Sequence, residues 1–255
     1  MVSLFVQKGG SGNQTYVLLH GLGCSSDVWR GLISVIEKNK AGKWIAPDMR
    51  GHGRSEWQDS YALGYHATDL IPIIRTEKSI FVVGHSMGAL VAMVLATGIF
   101  DLSIKGVLGI GPKSDWPAEE RKRLIAFANK PIRWFKSREE AIERYLLVSG
   151  LKGILNPGDD RLSSAIFQGP EGFRLSADPK TVIVGGPAKG LHAAASYASK
   201  IRLACGEYDN VTTIDGLRTW DPDAVVLRGL SHNAHVEDPN AVWSVIQKMK
   251  NNLSG

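Results

Sequence analysis

Three residues, Ser86, Asp209 and His232, are of the types and in the order that support nucleophilic chemistry. A serine hydroxyl is a weak nucleophile near neutral pH, so it needs a histidine to take its proton and a carboxylate to hold that histidine. Ser86 stands in Gly84, His85, Ser86, Met87, Gly88, directly after the apolar run 80–83 and before the helix-forming run 89–96. That context predicts a tight strand-to-helix turn that presents the hydroxyl outward, with flanking glycines because a Cβ would strike neighbouring backbone. Asp209 follows the predicted strand 201–205 through Gly206, Glu207 and Tyr208, and His232 follows the predicted strand 224–227. Three strand ends delivering Ser, Asp and His would converge at the carboxyl edge of an open α/β sheet, where such sheets place their sites. His235 competes with His232 as the base, and Asp115, just past the predicted strand 104–110, competes with Asp209 as the acid.

The elements that must position these groups are legible as alternating strand and helix signals. An edge strand is predicted over 2–6 and a flexible turn over 9–13, then a strand buried on both faces over 16–19. A helix from about Asp27 would send Val28, Trp29, Leu32, Ile33, Val35 and Ile36 to the core. Strands at 43–46, 79–83 and 104–110 and helices at 63–75 and 88–100 continue the pattern, implying a mostly parallel sheet with helices on both faces. From 116 to 198 the alternation stops: helices are predicted at 117–129, 137–149 and 161–168, with a short strand signal at 181–184. Strands return at 201–205 and 224–227, and a last helix runs from Pro239 toward Lys250 with Asp238 as its N-cap.

With 255 residues, 44% of them hydrophobic, and no linker or repeat, the chain suits one large α/β domain carrying an insertion. The net charge of +5 comes from spread lysines and arginines, and the cluster Arg121, Lys122, Arg123 suits a solvated helix face rather than nucleic acid. Residues 1–10 lack the pattern of a secretory signal and 88–100 is too short to span a bilayer, so no membrane anchor is expected. Cys24 and Cys205 suit a reducing, cytoplasmic setting and small core roles. No His, Cys, Asp and Glu grouping has metal-ligand spacing, and Gly21, Gly23, Gly51 and Gly53 do not compose a dinucleotide fingerprint, so neither a metal nor a cofactor is expected.

The chain resembles the α/β-hydrolase family from about Thr15 to the last helix. The residues carrying the resemblance are His20 and Gly21, the run from Pro47 to Ser55, the Ser86 turn, Gly206 to Asp209, and His232 with Glu237 and Pro239. The resemblance implies an α/β-hydrolase fold, with a mostly parallel central sheet flanked by helices: a core of 1–115 and 199–255 and a helical cap at 116–198. It also implies an oxyanion hole from the backbone N–H groups of Leu22 and Met87, whose side chains would line the acyl pocket. Ser231 departs from the family pattern, standing where glycine is common. His20 and His85 are expected to be structural donors, and His52, His66 and His192 surface or packing residues. Asp48 and Arg50 are expected to fix a loop. The expected reaction is serine-dependent hydrolysis of a small to medium apolar or aromatic ester or lactone, with substrate contacts from Trp29, Trp116, Trp134, Tyr145 and His192. Amide hydrolysis, carbon–carbon bond hydrolysis and perhydrolysis use the same triad, and a ligand-sensing receptor can keep it with little turnover. Expected partners are the small-molecule substrate and, as an oligomeric form the sequence allows, a second copy in a homodimer.

Overall fold

A computed structural model describes residues 2–113, 116–184 and 189–251. In chain order the strands and helices are β1 Val6–Gly10, β2 Thr15–Leu19, α1 Arg30–Lys38, β3 Lys43–Pro47, α2 Leu63–Ile74, β4 Ile80–His85, α3 Met87–Leu95 and β5 Ile104–Ile110. These are followed by α4 Ala118–Ala128, α5 Arg138–Val148, β6 Ile166–Gly169, β7 Gly172–Leu175 and α6 Lys189–Ala198. The chain then closes with β8 Lys200–Gly206, α7 Ile214–Arg218, β9 Val225–Leu227, α8 Ala234–Glu237 and α9 Pro239–Asn251.

Seven strands form one sheet in the order β1-β3-β2-β4-β5-β8-β9. Only β1 runs antiparallel, pairing Val6 with Pro47 and Gly10 with Lys43 on β3; the remaining pairs are parallel. β2 and β4 are buried along their whole length, as continuous apolar runs in a sheet covered on both faces must be. Side-chain alternation then splits the core into two. Tyr16, Leu18, Phe81 and Val83 pack under α1 and α9, against Leu32, Ile36, Val242 and Ile246. Val17, Leu19, Ile80 and Val82 pack under α2 and α3, against Leu70, Ile74 and Val91. Register carries the Ser86 turn to the sheet edge: Leu19 pairs with Gly84 across to Gly109, and His85 pairs with Ile110.

Three local expectations are corrected. The edge strand begins at Val6 rather than position 2 and takes in Gly9 and Gly10, which the sequence suggested were a turn. The Trp44 ring lies where a Gly9 Cβ would be, 2.7 Å from its Cζ2, so this strand position needs glycine. The helix predicted at 161–168 is a 3-10 turn, Asp160–Leu162, followed by the β6–β7 hairpin. Pro170 and Glu171 form its two-residue tip, Gly172 adopts φ +114°, and Phe135 adds a rung through paired hydrogen bonds with Phe173. The strand signal at 181–184 belongs to a 3-10 helix, Pro179–Val184, whose start is fixed by Asp178 accepting from Lys180 N–H at 2.9 Å. Helix α6 packs on α3 and β8 beside the sheet. The last helix starts as expected, with Asp238 accepting from Asn240 and Ala241 N–H.

Candidate active site

Ser86 sits between β4 and α3 at φ 51° and ψ −112°, a left-handed conformation that L-residues rarely hold. The turn is tight because both flanking glycines are in backbone contact. A Cβ at Gly84 would overlap the Gly88 carbonyl, and one at Gly88 would overlap the Leu19 carbonyl. The Ser86 N–H donates to Ile110 O at 2.8 Å, fastening the turn to β5.

Asp209 lies one short turn past β8, its side chain fully buried. Its Oδ1 accepts from Val211 N–H at 2.8 Å and Thr212 N–H at 3.0 Å. Both carboxylate oxygens face His232 Nδ1, at 3.0 and 2.9 Å. A carboxylate can only accept here, so Nδ1 carries the proton and the lone pair is left at Nε2. The β8 and β9 ends are tied together: Tyr208 N–H donates to Leu230 O at 2.9 Å, and Glu207 accepts from Gly229 N–H at 2.9 Å. Ser231, the departure from the family pattern, is bound by Glu237, which accepts from its N–H at 3.0 Å and from its hydroxyl.

Ser86, His232, Leu22, Met87 and Trp116 line one cavity of about 490 Å³. The N–H of Met87, first residue of α3, is one that a helix leaves without an internal partner. The N–H of Leu22 has no hydrogen-bond partner among the described residues. His20 sets its direction. The Gly21 carbonyl accepts from His20 Nδ1–H at 2.8 Å and from Cys24 N–H at 3.2 Å, while His20 Nε2 accepts from Met49 N–H at 2.9 Å. In a trans peptide the carbonyl and the following N–H point opposite ways, so holding Gly21 O aims the Leu22 N–H. The loop carrying Met49 is in turn held by Asp48, which accepts from Ser26 N–H at 2.7 Å and Arg54 Nε–H at 2.7 Å, and by paired Arg50–Asp69 bonds of 2.6 Å.

Of the proposed substrate contacts, Trp116 lines the cavity, and its Nε1–H is buried without a partner. The others are placed elsewhere. Trp29 and Tyr145 belong to the core under α1 and α9, with Trp29 tilted against His235 at 4.4 Å between ring centres. Trp134 packs against Phe167 and Arg174, and His192 lies on α6 beside Trp220. Asp115, the competing acid, lies outside the described residues. His235, the competing base, is fully buried and does not line the cavity.

Three supporting residues were not singled out by the sequence. Gly111, at φ +57° after β5, packs flat on the acid–histidine pair: a Cβ there would lie 3.0 Å from both Asp209 Oδ2 and His232 Nδ1. Its signal was a glycine directly after a strand. Asn233 donates from Nδ2 to the carbonyls of Ser149 and Gly150, at 3.0 and 3.2 Å, joining the His232 loop to the segment above it. No pattern announces it. Thr212, besides its N–H bond to Asp209, donates its hydroxyl to Pro112 O at 3.1 Å.

His52 and His66, for which a surface position was open, are both buried; His20, His52 and His66 form one chain of contacting rings, and His85 contacts His232 and His235 in a second group. His85 Nε2–H donates to His232 O at 3.0 Å, and its ring packs on His232 at 4.7 Å. Burial pulls His52 and His235 down to about 3 and His66 and His85 well below their ordinary value. These rings are neutral when folded and titrate near 6.5 when unfolded, so the stability they contribute is complete above pH 6.5 and lost as pH falls toward 3. At pH 4.5 the loss is about 3 kcal/mol for each of His52 and His235, against a total stability of about 5–15 kcal/mol. Thermal melts should therefore show Tm falling steeply below pH 6, with acid unfolding between about pH 4 and 5. A Tm flat from pH 7 to 4 would contradict neutral burial.

The sequence profile of the Alpha/beta hydrolase family matches residues 16–245. Pimeloyl-[acyl-carrier protein] methyl ester esterase of Pectobacterium carotovorum is 32% identical over 171 residues, 65% of this chain and 64% of its own length. Bovine (Bos taurus) protein phosphatase methylesterase 1 is 28% identical over 145 residues, 54% of this chain and 38% of its own length. The chain thus spans less than two thirds of the length of these curated relatives. Among solved structures, E-2-(acetamidomethylene)succinate hydrolase superposes with a TM-score of 0.78 at 24% identity, covering 98% of this chain and 96% of that one. Among the described residues no helix is long and apolar enough to cross a membrane. With the seven-stranded sheet, the strained serine turn and a family match over nearly its whole length, the chain belongs to the α/β-hydrolase family.

Proposed function

We propose that this protein is a serine hydrolase that cleaves a carboxylic ester, open or lactone, through an acyl-enzyme. The observation that carries the reading is the Asp209–His232 pair at 2.9 Å beside the same cavity as the strained Ser86. Relatives named as methyl ester esterases support ester chemistry. Ser86 Oγ attacks the carbonyl carbon while His232 Nε2 takes its proton, and Asp209 stabilises the imidazolium that results. The carbonyl oxygen becomes an oxyanion facing the N–H groups of Leu22 and Met87, each worth about 3 kcal/mol in a preorganised site. Collapse expels the alkoxide, which receives the proton from His232. A water then gives its proton to His232 and attacks the acyl-enzyme, releasing the acid and restoring Ser86.

The segment 116–184 acts as the cap in this reading, supplying Trp116, Leu124, Val148 and Val182 to the cavity wall. Asn233 is its link to the catalytic loop. The test is titration with a fluorophosphonate during hydrolysis of p-nitrophenyl esters. One equivalent should abolish turnover, and continued hydrolysis after full modification would overturn the reading.

A further inference from the structure

A second cavity, of about 370 Å³, adjoins the one that holds Ser86 and shares Leu22, Val148 and Val182 with it. Its walls are largely apolar, Phe135 and Leu175 among them, yet four cationic side chains also line it: Lys130, Arg133, Arg144 and Arg174. None of the four meets a carboxylate in an ion pair among the described residues. Arg174 donates one N–H to Leu175 O and lies between the rings of Trp57 and Phe167, at 4.0 and 4.2 Å, and Arg133 lies over Phe135 at 4.7 Å. The one carboxylate among the described lining residues, Asp178, accepts from the Tyr61 hydroxyl at 2.6 Å and from Lys180 N–H, and it attracts Arg174 without forming an ion pair with it. Arg144 and Arg174 are half-buried, whereas Lys130 and Arg133 are exposed. Guanidinium groups carry five donors in a planar fork suited to carboxylates, and charge left without a partner in a partly desolvated, apolar cavity favours an anionic occupant.

We propose that this cavity is the subsite for an anionic group, and that the substrate is an ester carrying a terminal carboxylate across an apolar spacer on its acid or its alcohol side. This rests on the reading of Ser86 as the nucleophile, because the ester is placed in the first cavity and its charged end in the second. The apolar walls hold the chain and the cations hold its end. Attraction of this kind in a cavity open to solvent is screened by salt.

The experiment compares two matched pairs of esters in the whole protein. Mono-p-nitrophenyl adipate is set against p-nitrophenyl hexanoate, and 4-(hexanoyloxy)benzoate against phenyl hexanoate, so that the charge lies on the acid side in one pair and on the alcohol side in the other. At 50 mM salt, kcat/KM should favour the charged member of one pair by at least about tenfold, and the advantage should shrink at 500 mM salt. In R133Q/R144Q the ratio should fall to within about twofold of one; in R174K, which keeps the charge, most of it should remain. Ratios near one in both pairs, or ratios that R133Q/R144Q leaves unchanged, would overturn the subsite while leaving ester hydrolysis intact. The same esters are titrated into the S86A protein by calorimetry. Tighter binding of the charged member there supports the subsite even where the wild type turns over neither ester, a result that would overturn only the hydrolase reading. Equal binding of both members overturns the subsite.

Discussion

Replacing Ser86 with alanine should lower kcat for a p-nitrophenyl ester by about three to six orders of magnitude, leaving what binding and the oxyanion donors achieve without a nucleophile. The loss should be chemical and not structural. Serine and alanine pay a similar cost for φ 51°, and no hydrogen bond of the Ser86 hydroxyl ties it into the fold among the described residues. The Tm of Ser86→Ala should therefore stay within a few degrees of wild type. Ser86→Gly should be as inactive but more stable by about 1 kcal/mol, because glycine adopts this conformation without a Cβ clash. Turnover by Ser86→Ala within tenfold of wild type would move the nucleophile elsewhere.

The second large effect is expected at Asp209. In Asp209→Asn the position of Oδ1 must remain an acceptor, since Val211 and Thr212 both donate N–H groups to it. The amide nitrogen is thereby directed to the other position, opposite His232 Nδ1 at 2.9 Å. Two donors cannot face each other, so Nδ1 gives up its proton and the imidazole carries it on Nε2 instead. That nitrogen then has no lone pair for the Ser86 proton. The expected loss is about 10⁴-fold in kcat with little change in KM, together with slow labelling by a fluorophosphonate. A loss smaller than tenfold would mean that another carboxylate orients His232, and Asp115→Asn would be the variant to measure next.

Much of this geometry was legible because each acting residue follows a strand signal and a glycine. Runs such as 16–19 and 80–83, bounded by turn residues, read as strands covered on both faces, and strand ends of this kind mark where the acting residues emerge. Substrate contacts were far less legible. An aromatic residue at helical spacing reads the same whether its face meets a core or a cavity, and so Trp29 and Tyr145 went to the core while Trp116 reached the cavity wall. The β6–β7 hairpin was hidden because its strands are four residues long and its pairing with Phe135 comes from 38 positions upstream of Phe173. Gly111 and Asn233 matter through contacts with chain about a hundred or about eighty residues away, which no local pattern records. The two histidine groups are similar. His20 meets His52 and His66, and His85 meets His232 and His235, only once the chain is folded.

The central claim is that Ser86 is the nucleophile, and the most direct measurement is the site of its covalent adduct. After reaction with one equivalent of a fluorophosphonate, digestion and mass spectrometry should place a single modification on Ser86, and none should form in Ser86→Ala or after acid unfolding. An adduct on any other residue, or labelling that survives Ser86→Ala at the wild-type rate, would contradict the account.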